Sequence, residues 1–194
     1  MKNTGIYFKD GRIIAQSGDV KIYETDYDIF LEIGPAHTLW TLASELQDYI
    51  EQINNKPRGH CLEIGLGLGV ASRYILSCSK VKTLTTLEIN KDVIKTYKKT
   101  KKYLDNKLKL KNINKNHIII NDEGLKYIKT TNKKFDFIFL DYYTLIDEET
   151  LADIEVTTYW CKKILRSGGK IIGWFDKYTP DNYIKEFNKI FQNI

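Results

Sequence analysis

The segment Cys61-Leu62-Glu63-Ile64-Gly65-Leu66-Gly67-Leu68-Gly69-Val70-Ala71 constrains the fold more than any other. An apolar run passes into glycines at alternate positions (Gly65, Gly67 and Gly69) and then into helix-forming residues. Glycine is required where φ turns positive and where a ligand must touch bare backbone. Taken alone, such a turn also serves merely to carry a strand tightly into a helix. Glu63, two residues before the first glycine, narrows the choice of ligand. A carboxylate there suits an ammonium or a sulfonium and repels a pyrophosphate, which argues against a dinucleotide.

On the C-terminal side of this turn, strand and helix patterns alternate. Apolar runs at 60–64, 82–88, 117–120, 135–141 and 170–175 predict strands. Helical spacing fills the gaps at about 69–78, 91–104, 122–130, 147–165 and 180–192. Short apolar strands separated by helices imply a parallel sheet covered on both faces, here an α/β doubly wound, mostly parallel sheet with ligands at the carboxyl ends of its strands. The first 35 residues read instead as a small β-hairpin extension. Strands are expected at 6–8, 12–15, 20–23 and 28–33, with turns at Lys9-Asp10-Gly11 and Ser17-Gly18-Asp19. Leu39, Leu42, Ala43, Leu46, Tyr49, Ile50 and Ile53 predict a helix that Asn54-Asn55-Lys56-Pro57 stops. The expected organisation is an extension over 1–35 and an α/β ligand-binding domain over 36–194.

Three further carboxylates fall where such a sheet would bind its ligand. Glu88 ends the second strand, at the distance from the glycines that suits a ribose diol, although a Glu opening the next helix would occupy the same position. Asp122 follows Ile118-Ile119-Ile120 and can accept from an adenine amine, cap the next helix, or do both. Asp141 follows Phe137-Ile138-Phe139-Leu140 and should emerge at the crevice, with Tyr142 and Tyr143 beside it; capping the strand end is the plainer role.

Composition removes several classes. With 42% hydrophobic and 28% charged residues the chain is ordinary globular protein. No apolar run is long enough to cross a bilayer, and no signal-peptide core follows Met1, so a cytoplasmic location is expected. The net charge of +5 comes from scattered lysines with few arginines, a solvated surface rather than a nucleic-acid reader. Cys61, Cys78 and Cys161 lack metal-ligand spacing, as do His37, His60 and His117, so no metal site is expected.

The series Glu63-x-Gly-x-Gly-x-Gly, Glu88, Asp122 and Asp141, followed by Leu165-Arg-Ser-Gly-Gly-Lys-Ile-Ile, resembles the class I S-adenosylmethionine-dependent methyltransferase superfamily over residues 58–175. Within it, the run from Asp122 to Asp141 and the N-terminal β-hairpin are similar to the spermidine synthases. The resemblance implies a Rossmann-like methyltransferase fold binding S-adenosylmethionine or its decarboxylated form. Glu63, Gly65, Gly67, Gly69, Glu88 and Asp122 would hold that cofactor. Asp141 and Tyr142 would be catalytic toward a small-molecule acceptor, an amine among the candidates. The acceptor half departs from the aminopropyltransferases, whose Tyr-His-Glu tract and Pro/Gly-rich loop after the strand-four aspartate are missing here. Methyl transfer is therefore the leading expectation. Aminopropyl transfer is the first alternative and a non-catalytic nucleoside-binding module the second. Homo-oligomer formation is left open.

Overall fold

The computed structural model describes residues 11–34 and 38–192. The expected first strand at 6–8, Pro35 and His37 lie outside them. Two sheets are present among the described residues. The smaller is antiparallel in the order β1-β2-β3-β4, comprising β1 (Arg12–Ser17), β2 (Val20–Glu24), β3 (Ile29–Ile33) and β4 (Thr38–Leu42). Ser17 pairs with Val20 across the Gly18-Asp19 turn, where Gly18 has φ 55°.

The expected helix over 39–53 starts later than its periodicity suggests. Residues up to Leu42 are a strand because β3 offers an open ladder on which Phe30 pairs with Leu42, and Trp40 and Thr41 favour extended backbone. A 3-10 turn over Ala43–Glu45 then leads into α1 (Leu46–Ile53). The small sheet thus runs on past residue 35. Asn54, left-handed at φ 45°, closes α1.

The larger sheet is wholly parallel, in the order β7-β6-β5-β8-β9. Its strands are β5 (Gly59–Ile64), β6 (Val81–Leu87), β7 (Asn116–Ile120), β8 (Phe135–Leu140) and β9 (Leu165–Gly173). The connecting helices are α2 (Val70–Ser77), α3 (Lys91–Leu108), α4 (Gly124–Thr130) and α5 (Glu148–Ile164), and α6 (Asp181–Gln192) follows β9. This is the doubly wound, Rossmann-like arrangement expected, with the strand order reversing at β5.

Strand alternation divides the core in two. Cys61, Leu84, Phe137 and Phe139 point to the face covered by α1, α2, α3 and the small sheet. Leu62, Ile64, Ile138 and Leu140 point to the face covered by α4, α5 and α6. The small sheet packs on α3 and extends over the carboxyl ends of the parallel strands.

Candidate active site

The backbone at the reversal point is drawn together first. Asp141 N–H donates to the Ile64 carbonyl at 2.8 Å, and Gly65 N–H donates to Leu87 at 2.9 Å. The exits of β5, β6 and β8 are thereby tied side by side. Gly65 sits at φ 97°, and a Cβ there would run into the Asp141 carbonyl. Gly67, at φ 50°, lies beneath the Thr41 hydroxyl of the small sheet, where a Cβ would collide with it. These two glycines allow the turn to pass close under its neighbours.

Above them is a cavity of about 410 Å³. Its walls come from both sheets, with Leu31, Ile33 and Thr41 on one side and Gly65, Leu66 and Gly67 on the other. Its ionisable walls are acidic: Glu88, Asp122, Glu123, Asp141 and Asp153. Among the described lining residues there is no Lys, Arg or His.

Glu88 is fixed by backbone. One oxygen accepts from Leu66 N–H at 3.1 Å and the other from Asn90 N–H at 2.8 Å. Burial raises its pKa against these donors, and the side chain lines the cavity. Asp122 lines the far wall, accepting from Glu123 N–H at 2.9 Å and Lys126 Nζ at 3.2 Å, which lowers its pKa. The cap of α4 is Glu123, accepting from Leu125 and Lys126 N–H, so helix capping is not the role of Asp122.

Asp141 accepts a 2.9 Å hydrogen bond from the Tyr49 hydroxyl of α1. Burial drives its pKa well above the carboxylate range; Tyr49 opposes this, and Glu45, Glu63 and Glu88 reinforce it. Glu45 is itself raised to about 7 by burial, with Asp176, Asp28 and Asp48 contributing. The environment of Asp141 therefore favours a bound cation. Tyr142 lines the cavity, but its hydroxyl donates to Thr157 at 3.0 Å and burial raises its pKa. The Tyr143 hydroxyl donates to the Trp174 carbonyl at 2.8 Å.

Two expected ligand contacts are placed elsewhere. Glu63 is fully buried beneath the turn, on the α2 side of the sheet, and does not line the cavity. One oxygen accepts from Ser72 and from Thr86, the latter at 2.6 Å; the other has no hydrogen-bond partner among the described residues. The alternation of β5 sends position 63 to the face opposite Ile64, the neighbour that does line the cavity. Gly69, at φ 71°, is also absent from the lining and packs against Tyr97 and Arg73.

Arg73, Tyr49, Thr41 and Ile89 were not anticipated from sequence. The buried Arg73 holds the turn, donating to the Leu68 and Gly69 carbonyls at 2.9 and 2.8 Å while its Nε pairs with Asp105 at 2.7 Å. An arginine inside the apolar α2 was the available signal. Tyr49 sat within an apolar helix stripe, and Ile89, 70% exposed, borders the cavity beside Glu88.

A family model for the spermine/spermidine synthase domain matches residues 50–187. The polyamine aminopropyltransferase of Thermoplasma volcanium is 28% identical over 169 residues, covering 84% of this chain and 53% of that protein. The enzyme of the same name from Prochlorococcus marinus is 28% identical over 149 residues, covering 70% and 49%. The chain spans about half the length of these curated relatives. In fold, the spermidine synthase from Thermotoga maritima superposes with a TM-score of 0.68 at 17% identity, over 95% of this chain and 63% of that one. These matches overturn the expectation of methyl transfer, since the relatives are aminopropyltransferases. The cradle for the nucleoside is common to both reactions, so the residues that carried the superfamily resemblance could not separate them.

Proposed function

The chain belongs to the spermine/spermidine synthase family, and from that membership we propose that it transfers an aminopropyl group from decarboxylated S-adenosylmethionine to a small amine. The observation that carries this reading is the sign of the cavity. The donor bears a sulfonium and an ammonium and no carboxylate, and the acceptor is a polycation. A cavity with carboxylate walls and no basic residue among its described lining suits both. Intact S-adenosylmethionine would bring a carboxylate with no cation to meet it.

In this reading Glu88 accepts from the ribose diol and Asp122 from the adenine amine, while Gly65 and Gly67 let the nucleoside lie against the turn. Asp141, oriented by Tyr49, holds the attacking amine and takes up its proton. The amine nitrogen bonds to the carbon next to sulfur, the carbon–sulfur bond breaks, and methylthioadenosine leaves as a neutral thioether. The sulfonium is already a good leaving group, so the protein's task is in-line positioning and removal of one proton. Tyr142, with its hydroxyl engaged by Thr157, forms part of the acceptor wall.

The test is release of methylthioadenosine from the decarboxylated donor with a panel of diamines. Wild type should turn over, while Asp141→Asn falls by about 10²-fold with donor affinity nearly unchanged. The decarboxylated donor should also bind at least tenfold more tightly than the intact one. Equal affinity for the two donors, or full turnover in Asp141→Asn, would refute the reading.

A further inference from the structure

We propose that a groove at the amino ends of the parallel strands is a second binding site, one that takes a small organic phosphate. The groove follows from a mismatch of lengths. Helix α4 has seven residues and is about 10 Å long, whereas β6, also of seven residues, spans about 23 Å. Ile128 of α4 packs with Leu62, Ile64, Leu87 and Ile120, toward the carboxyl ends of their strands. Two-residue alternation continues the same face to His60, Thr83, Thr85 and Ile118, and these line an open groove of about 500 Å³.

The rim of the groove is cationic. The connection from α4 to β8 brings Asn132, Lys133 and Lys134 to it, and β9, which starts directly after α5, adds Arg166. No Asp or Glu is among its described lining residues. Asp136, beside the lining residue Phe135, is already engaged: it accepts from His60 N–H at 2.7 Å and from Arg166 Nη1 at 2.8 Å. Arg166 is oriented by that bond, and its other N–H groups have no partner among the described residues. The Lys133 ammonium and the Asn132 amide are likewise unpartnered there.

Two observations go beyond surface charge. Thr85 lines the groove, is only 4% exposed, and its hydroxyl makes no hydrogen bond among the described residues. A buried hydroxyl is costly unless a ligand or water satisfies it. His60 Nδ1 is bonded to Thr83 Oγ1 at 2.9 Å, leaving Nε2 without a partner. Beside these polar groups, Phe135 and the 38% exposed Ile118 supply an apolar floor. Cations at the rim suit a phosphoryl group, and the floor suits the organic part that carries it. Strand β6 presents Thr83 to this groove and leads to Glu88 at the acidic cavity, about 17 Å away. Each cavity thus repels the ligand of the other.

Titration calorimetry of the whole chain with phenyl phosphate, which has no nucleoside part, is the test. It should bind with a dissociation constant of about 1 mM or below, and inorganic phosphate about tenfold more weakly. Lys133→Gln should weaken phenyl phosphate about fivefold or more. Thr85→Val should weaken it about threefold or more while the melting temperature holds or rises. That second variant separates a formed site from diffuse surface charge, to which a buried hydroxyl contributes nothing. Glu88→Ala, in the acidic cavity, should leave the affinity unchanged. No binding of phenyl phosphate at about 10 mM would overturn the proposal. So would an affinity indifferent to Thr85→Val, one that inorganic phosphate matches, or one lost in Glu88→Ala, which would move the ligand to the acidic cavity.

Discussion

Replacing Glu63 by Gln should flatten the pH dependence of this protein's stability between 4.5 and about 7. The native carboxyl is fully buried, and burial lifts its pKa from 4.5 to about 7 even though Ser72 and Thr86 both donate to it. The unfolded chain releases this proton near 4.5, so within that window the unfolded state binds fewer protons and stability falls as pH rises. The contribution is complete below 4.5 and gone above about 7. At about 1.4 kcal/mol per pH unit between the two values, roughly 3 kcal/mol is lost. Gln cannot ionise and keeps an acceptor for both hydroxyls. Its amide N–H groups take the place of the oxygen that has no partner, which costs about 1–3 kcal/mol at every pH. The readout is therefore the change in the difference between the two proteins, measured by urea unfolding near pH 4.5 and again near pH 8.5. Glu45 and Asp141 are displaced in the same direction but are present in both proteins and largely cancel. The variant should gain roughly 3 kcal/mol on wild type across the range, equivalent to about 6–12 °C in melting temperature. Parallel stability curves would refute the reasoning and mean that water reaches Glu63.

Gly67→Ala should lower stability by about 1–2 kcal/mol, through its positive φ and the crowding of Thr41, and nucleoside affinity by more than tenfold, both measurable by calorimetry. Glu88→Ala should weaken the same binding about tenfold or more, and wild type should lose a comparable factor with a 2′-deoxy ligand. Tyr49→Phe removes the one side-chain hydrogen bond that lowers the Asp141 pKa. The acid limb of its turnover profile should therefore move to higher pH, while donor affinity stays within a few-fold.

Most of the parallel sheet was legible because its first four strands carry short apolar runs and its helices repeat their apolar positions; β9, expected at 170–175, starts already at Leu165 because Phe135 of β8 pairs with it. The N-terminal region was read less well. Leu39 and Leu42 fit a helical stripe, yet β3 captured that stretch as a strand. Local periodicity cannot register a ladder offered by another segment. Glu88, Asp122 and Asp141 were legible because strand ends of a doubly wound sheet converge on one crevice. Glu63 was misplaced because its alternation with Ile64 was not followed to the opposite face. Arg73 acts from inside a helix on carbonyls of the turn before it, a relation that no spacing rule reports.

The transferred group was the hardest part to read, and the reason is electrostatic. Judged by its net charge of +5, the chain looks suited to anions. None of the described lysines lines the cavity, however, whereas the carboxylates at 88, 122, 141 and 153 do. Those four belong to different elements and are far apart in sequence, so their common sign emerges only when β6, β7, β8 and α5 are brought together. A low-dielectric cleft of one sign attracts ligands of the other whatever the molecule's total charge. Missing loop motifs had argued against a polyamine acceptor. The charge of the cavity bears on which substrate can be held there, and that property belongs to the assembled fold.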